Sequence, residues 1–132
     1  MVLPQAFRIV VAVILMLQGV GHVMGLLPLV GKKLSETHSA DSWLLNRTMG
    51  PRSTHSVGAV IWVMTIALFV LAGIGALGQI VPGQWRHIAA AASILSLAGL
   101  TLFWHAFPFL FPNKVGAILF DLVVLIWVFK GA

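Results

Sequence analysis

Few residues in this chain could do chemistry. Asp121 stands in "GAILFDLVVL", one of only three acidic residues among 132. Its neighbours Leu119, Phe120, Leu122 and Val123 are all apolar, so a carboxylate there needs a partner. His22 follows Gln18 by four positions, which puts an imidazole and an amide on one face of a helix. His105 follows Trp104 in "LFWHAF". A carboxylate, an amide and one or two imidazoles at one level of a bundle could exchange a proton, hold the head of a ligand, or ligate a haem through His22 and His105. They could equally be structural glue between helices.

The elements that position these residues follow from composition. Hydrophobic residues make up 60% and charged residues 8%, and the mean hydropathy is +1.04. Soluble domains carry roughly 25% charged residues. Too little polar surface remains to cover a water-soluble globule, so the chain reads as one integral membrane domain over residues 1–132. There is no cysteine, which excludes disulfides, iron–sulfur clusters and thiolate metal sites. The net charge of +5 comes from Lys and Arg scattered between apolar runs, a pattern of membrane-flank anchoring and not of a nucleic-acid footprint. The expected partners are therefore the lipid bilayer and a protein partner or a second copy of the chain.

Four apolar stretches have the length of a membrane span, at about 6–27, 55–80, 85–107 and 113–130. The expected fold is all-α: an up–down bundle of four transmembrane helices with a short interfacial helix in the first loop. "VPGQ" (81–84) predicts a tight hairpin between the second and third spans, and Pro108 and Pro112 end the third and position the fourth. Trp43, Trp85, Trp104 and Trp127 are expected near span ends, with Trp62 deeper and packed. In the long connection 28–54, Asp41 or Ser42 could cap a short helix ending at Gly50–Pro51, which would act as an interfacial strap or a lid. The first span lacks an A-x-A-like cleavage site and is expected to remain in the mature protein. Lys32, Lys33, Arg47, Arg52 and Lys114 outnumber Arg8, Arg86 and Lys130 on the other side. The positive-inside rule then favours a cytoplasmic long loop by a thin margin and leaves orientation open.

Up–down topology brings the end of span one, the start of two, the end of three and the start of four to one membrane face. His22, His105 and Asp121 then share one half of the bundle, with Lys114 two turns above Asp121. An Asp at the centre of a membrane helix costs about 2.5–3.5 kcal/mol on insertion scales. Asp121 is therefore expected to face inward and bond, directly or through one water, to His22 or another polar group, with Gln18 on the same stripe and His105 the next candidate. His38, His55 and His87 are expected to be wetted flank residues. Gly21 and Gly25 form a G-x-x-x-G pattern for close helix approach, as does the seam Ala72, Gly73, Gly75, Ala76. No catalytic or metal motif is present.

The stretch "FRIVVAVILMLQGVGHVMG", in which Arg8 opens an apolar helix that ends in Gly19-x-Gly21-His22, resembles the first helix of small DoxX-like membrane proteins. The resemblance implies a four-span bundle in a redox or stress context. That group includes a subunit associated with thiosulfate:quinone oxidoreduction. It implies no catalytic residue for this chain. The expected function is an accessory or quinone-contacting subunit of a larger membrane redox or bioenergetic complex, in a prokaryotic-type inner membrane. The alternatives are a small proton-linked transporter using Asp121 and His22, and a b-type haem protein. A stand-alone enzyme is the less favoured reading.

Overall fold

In the computed structural model, which describes residues 4–80 and 82–131, four helices dominate. They are α1 (Gln5–Gly21), α2 (Leu45–Ala76), α3 (Trp85–Leu102) and α4 (Val115–Lys130), and no strand occurs among the described residues. Four segments are long and apolar enough to cross a membrane: Gln5–Gly25, Leu45–Ala76, Trp85–Leu102 and Leu110–Lys130. The chain is thus a four-helix, multi-pass membrane protein by length and composition.

The differences from the expected spans have local causes. The short helix expected near 40–50 begins at Leu45 and runs into α2 across a kink at Gly50, whose φ of 79° and ψ of 165° break the helical path. Glycine carries that positive φ without a Cβ clash, and Pro51 opens the next turn, where a missing N–H costs nothing. The helix start is organised by Ser42 and not by Asp41: the Ser42 hydroxyl accepts from Leu44 N and Leu45 N, and Ser42 N donates to Asn46 Oδ1. At its other end α2 stops at Ala76, where Arg8 Nε donates to the Ala76 carbonyl at 2.8 Å. A cation there complements the negative end of the helix dipole. α3 ends at Leu102, earlier than expected, because Phe103 (φ −120°, ψ 63°) turns the chain back under Trp62. Of the predicted 81–84 turn, Val81 lies outside the described residues, and Pro82–Gln84 form a turn.

Consecutive helices pack along their length, α1 on α2, α2 on α3 and α3 on α4, whereas α1 and α4 meet only marginally. One core layer combines Ala12 and Leu15 of α1, Phe69 and Ala72 of α2, Ala89 and Ala92 of α3, and Val124 and Val128 of α4. A second, at the opposite end, centres on Trp62 with Leu100, Phe103, Phe107 and Ala117. The early part of α1 thus meets the late part of α2, as an up–down arrangement requires. The α1–α2 approach is close because the facing residues are small. A Cβ on Gly19 would lie 2.7 Å from Phe69 Cβ, and one on Gly73 would lie 2.9 Å from the Ala12 carbonyl oxygen. At the far end Trp85 is nearly buried against Trp127, with the Arg86 guanidinium over both rings.

The long connection folds down as a strap. His38, expected to be wetted, is fully buried. Its Nδ1 accepts from Leu34 N, and its Nε2 lies 2.8 Å from both the Met24 and Ala106 carbonyl oxygens. Since Nδ1 accepts an N–H and carbonyls cannot donate, the ring carries its proton on Nε2 and donates it to both. Ser39 N to the His105 carbonyl, Ser35 Oγ to the Pro108 carbonyl and Trp43 Nε1 to the Thr101 carbonyl complete the attachment.

The strap's outer end is held by Asp41, 2.8 Å from His55 Nε2. That hydrogen bond, followed by one from Asn46, holds the Asp41 carboxyl below its ordinary range. The undocked strap therefore binds a proton more readily than the docked one. The stabilisation is full above the free-carboxyl value of about 4 and is lost as pH falls through the lower docked value. Hydrogen exchange across 34–46 should accelerate below about pH 4, only modestly because the pair is exposed, and Asp41→Asn should abolish that step. Unchanged exchange profiles of the two proteins at low pH would refute this.

Candidate functional site

The polar groups inside the helices form a chain of hydrogen bonds running from Asp121 through Gln18 and His22 to Ser96. Gln18 Nε2 donates to Asp121 Oδ1 at 3.3 Å, joining α1 to α4. Ser96 Oγ lies 2.6 Å from His22 Nε2, and His22 Nδ1 lies 2.7 Å from the Gln18 carbonyl oxygen one turn back. Gln18 joins the two parts, its side chain bonding Asp121 and its backbone carbonyl accepting from His22. Asp121, Ser96 and His22 are all buried to 1% exposure or less. Asp121 Oδ2 and Ser93 Oγ, one turn before Ser96, have no protein partner.

His22 ends α1 because the chain there tightens into a 3₁₀ turn (His22–Gly25). This turn directs the imidazole between α2 and α3. Its ring packs among Trp62, Phe69 and Phe107, with centroids 5.3–5.8 Å away. Aromatic walls exclude water and hold the ring plane, leaving its two nitrogens to decide what it bonds. Gly25 admits Trp62: a Cβ there would lie 2.5 Å from Trp62 Nε1.

Beside this chain of polar groups lies a cleft of about 320 Å³, in the gap where α1 and α4 fail to close. Its polar lining is Gln18, His22 and Asn113, and its apolar lining is Met24, Phe107, Pro112, Ala117 and Phe120. Gly21 and Gly116 complete the wall; both are exposed, and a Cβ on either would meet open space. Asn113 Oδ1 is buried and has no protein partner. The cleft is a lateral opening with amide and imidazole groups on its wall and the buried carboxyl behind Gln18.

The structure brings together Asp121, His22 and Gln18 but leaves His105 apart. His105 is exposed, and its backbone carbonyl serves the strap. Its side chain does not join the polar groups, because Phe103 ends α3 before the chain reaches it. His22 and Asp121 are linked through Gln18, and His22 also bonds Ser96 of α3. Lys114 is nearly buried, and its ammonium sits 4.7 Å over the Trp104 ring. Of the packing glycines, Gly25 and Gly73 are close-approach positions and Ala76 is fully buried. Gly21 is not a packing residue; Gly19, two positions earlier, takes that place against Phe69. Sequence reasoning also missed Ser96, Ser93 and Asn113. A signal for the serines was present: Ala89, Ala92, Ser93, Ser96 and Gly99 form a small-residue stripe at helical spacing on α3, and all are buried.

Among the described residues no group of three or more His, Cys, Asp or Glu side chains is placed to hold a metal ion. Compared with protein-family models, curated proteins and solved structures, the chain matches none.

Proposed function

We propose that this membrane protein binds a lipid-borne ligand with a compact hydrogen-bonding head, of the quinone class, in the cleft between α1 and α4. On this reading it serves as an accessory subunit of a larger membrane redox assembly, in keeping with its resemblance to small DoxX-like proteins. The observation that carries the reading is the open α1–α4 seam with Gln18, His22 and Asn113 on its wall. A volume of about 320 Å³ lies at the lower end of ligand pockets of roughly 300–1,000 Å³, enough for a single-ring head whose isoprenoid tail stays among lipid chains. Asn113 suits both redox forms of such a head. Its amide N–H donates to a quinone carbonyl, and its unpartnered Oδ1 accepts from a quinol hydroxyl. Phe107 and Phe120 offer faces for the ring.

A haem held by His22 and His105 is the less supported reading. Both nitrogens of His22 are engaged within the protein, and His105 is exposed elsewhere.

The test is a titration of the purified protein with a short-chain ubiquinone analogue, read by quenching of tryptophan fluorescence. Saturable binding is expected. Gly116→Trp should abolish it by filling the cleft, with thermal stability in detergent retained, since a side chain there begins in open space. Absence of saturable binding, or binding indifferent to Gly116→Trp, would sink the proposal.

A further inference from the structure

We infer that the pocket between the strap and the end of α3, walled by Trp43, Trp104 and Asp41, is a binding site for a quaternary ammonium head of the choline type. It shares no lining residue with the α1–α4 cleft, so it stands or falls apart from the quinone reading.

The pocket has a volume of about 470 Å³ and is lined by Asp41, Trp43, Thr101, Trp104 and His105. All five residues are exposed, so the pocket opens outward. Its walls are held in place from both sides. Trp43 Nε1 donates to the Thr101 carbonyl at 2.6 Å, which pins the strap's indole to the last turn of α3. The Asp41 carboxyl is held by His55 Nε2 at 2.8 Å and by Asn46 Nδ2 at 3.1 Å, and both contacts fall on Oδ1.

What the lining leaves unspent selects the ligand. The Trp43 N–H is used by the Thr101 carbonyl, and the Thr101 hydroxyl gives its hydrogen to the Leu97 carbonyl at 2.8 Å. An anion would find few donors there and would face a carboxylate. Negative charge and π surface remain. Asp41, its carboxyl held below the ordinary range by the His55 bond, stays ionised at neutral pH. Trp43 is 57% exposed. Trp104 already carries the Lys114 ammonium 4.7 Å from its ring centroid, so this indole lies where a cation is held. The C-terminal end of α3, the negative end of its dipole, lies in the same wall at Thr101. A primary ammonium is strongly hydrated and needs acceptors for three N–H groups. A trimethylammonium needs none: it spreads its charge over methyl groups and is satisfied by a carboxylate and indole faces. The head can come from a phosphatidylcholine lipid at the membrane face or from a choline-type solute, and the chemistry of recognition is the same.

The experiment is NMR of the whole protein with ¹⁵N-labelled tryptophan, at neutral pH in a maltoside detergent that carries no choline. Choline chloride is titrated at constant ionic strength. The expected result is a saturable shift of the Trp43 and Trp104 indole N–H signals, with those of Trp62, Trp85 and Trp127 unmoved. The uncharged carbon analogue 3,3-dimethylbutanol should bind at least roughly tenfold more weakly, the size of one cation contact. Asp41→Asn should weaken choline binding by a similar factor of about ten. Trp104→Leu, which touches none of the strap's hydrogen bonds, should weaken it as well, and Asp41→Asn decides the matter should Trp104→Leu fail to fold. Bilayer discs then separate the sources. Trp43 and Trp104 signals that sit at their choline-bound positions in phosphatidylcholine discs, but not in phosphatidylglycerol discs, assign the head to lipid. Signals that choline shifts equally in both assign it to a solute. Shifts spread over all five tryptophans, an equal response to the uncharged analogue, choline binding indifferent to Asp41→Asn, or no response to choline in detergent overturns the inference.

Discussion

His38→Ala is expected to release the strap from the helix ends and to cost several kcal/mol of stability. The substitution removes a side chain that bonds three separate backbone groups at once: the Met24 and Ala106 carbonyls and the Leu34 N–H. Losing a buried partner costs about 1–3 kcal/mol for each group left unpaired. Part of that is recovered if water enters, so a net loss on the order of 3 kcal/mol is expected. His38→Gln should recover some of it, since its NH2 carries a donor for each carbonyl and its Oε1 accepts, though the flexible amide lacks the ring's fixed placement of the two ends. The measurements are thermal unfolding in detergent and hydrogen exchange of residues 34–44. Wild-type exchange in the alanine variant would mean that Trp43, Ser35 and Ser39 hold the strap without His38.

His38 also shows where sequence reading reaches its limit. In the sequence it is a lone histidine between Thr37 and Ser39 in a polar loop, with the look of a wetted residue. Its role depends on two carbonyls that become available only because α1 tightens into 3₁₀ turns after Gly21 and α3 stops at Leu102. Backbone groups leave no mark in side-chain patterns, so such a partner cannot be read from one sequence. Asp121 is the opposite case. A carboxylate surrounded by apolar residues has no lipid-facing solution, so its inward position followed from energetics alone, as did the face it shares with Gln18 and His22. The partner of His22 on α3 was missed because Ser96 looks ordinary in an alanine-rich helix. His105 was placed in the cluster by depth along the span. Depth fails there because Phe103 takes the chain out of the helix just before it. The four spans were legible because the hydrocarbon thickness sets their length directly. The kink at Gly50 was read as a stop, although a helix can resume at once when proline supplies its first residue.

The packing glycines yield a second large effect, with an internal control. Gly19→Leu and Gly25→Leu are expected to destabilise the protein severely, while Gly21→Leu leaves it as stable as wild type or slightly more so. At Gly19 a Cβ would sit 2.7 Å from Phe69 Cβ and 3.2 Å from the Ile66 carbonyl oxygen. Neither is the free end of a flexible chain, so α1 and α2 would have to separate. At Gly25 the obstruction is the Trp62 indole, itself wedged against Phe103 and Phe107 with almost no exposure. Overpacking a close-packed core costs typically 1–3 kcal/mol, and these contacts belong at the top of that range or beyond it. Gly21 has the same helical context and nothing within reach of a Cβ. Replacing an exposed helical glycine removes unfavourable backbone entropy of roughly 0.5–1 kcal/mol. The leucine would, however, occupy the cleft wall, so Gly21→Leu should weaken quinone-analogue binding while preserving the fold. Unfolding midpoints of the three variants in one detergent, together with the binding titration, check both halves. Equal destabilisation at 19 and 21 would contradict the α1–α2 contact described here, because only a helix rotated about its own axis would bury both.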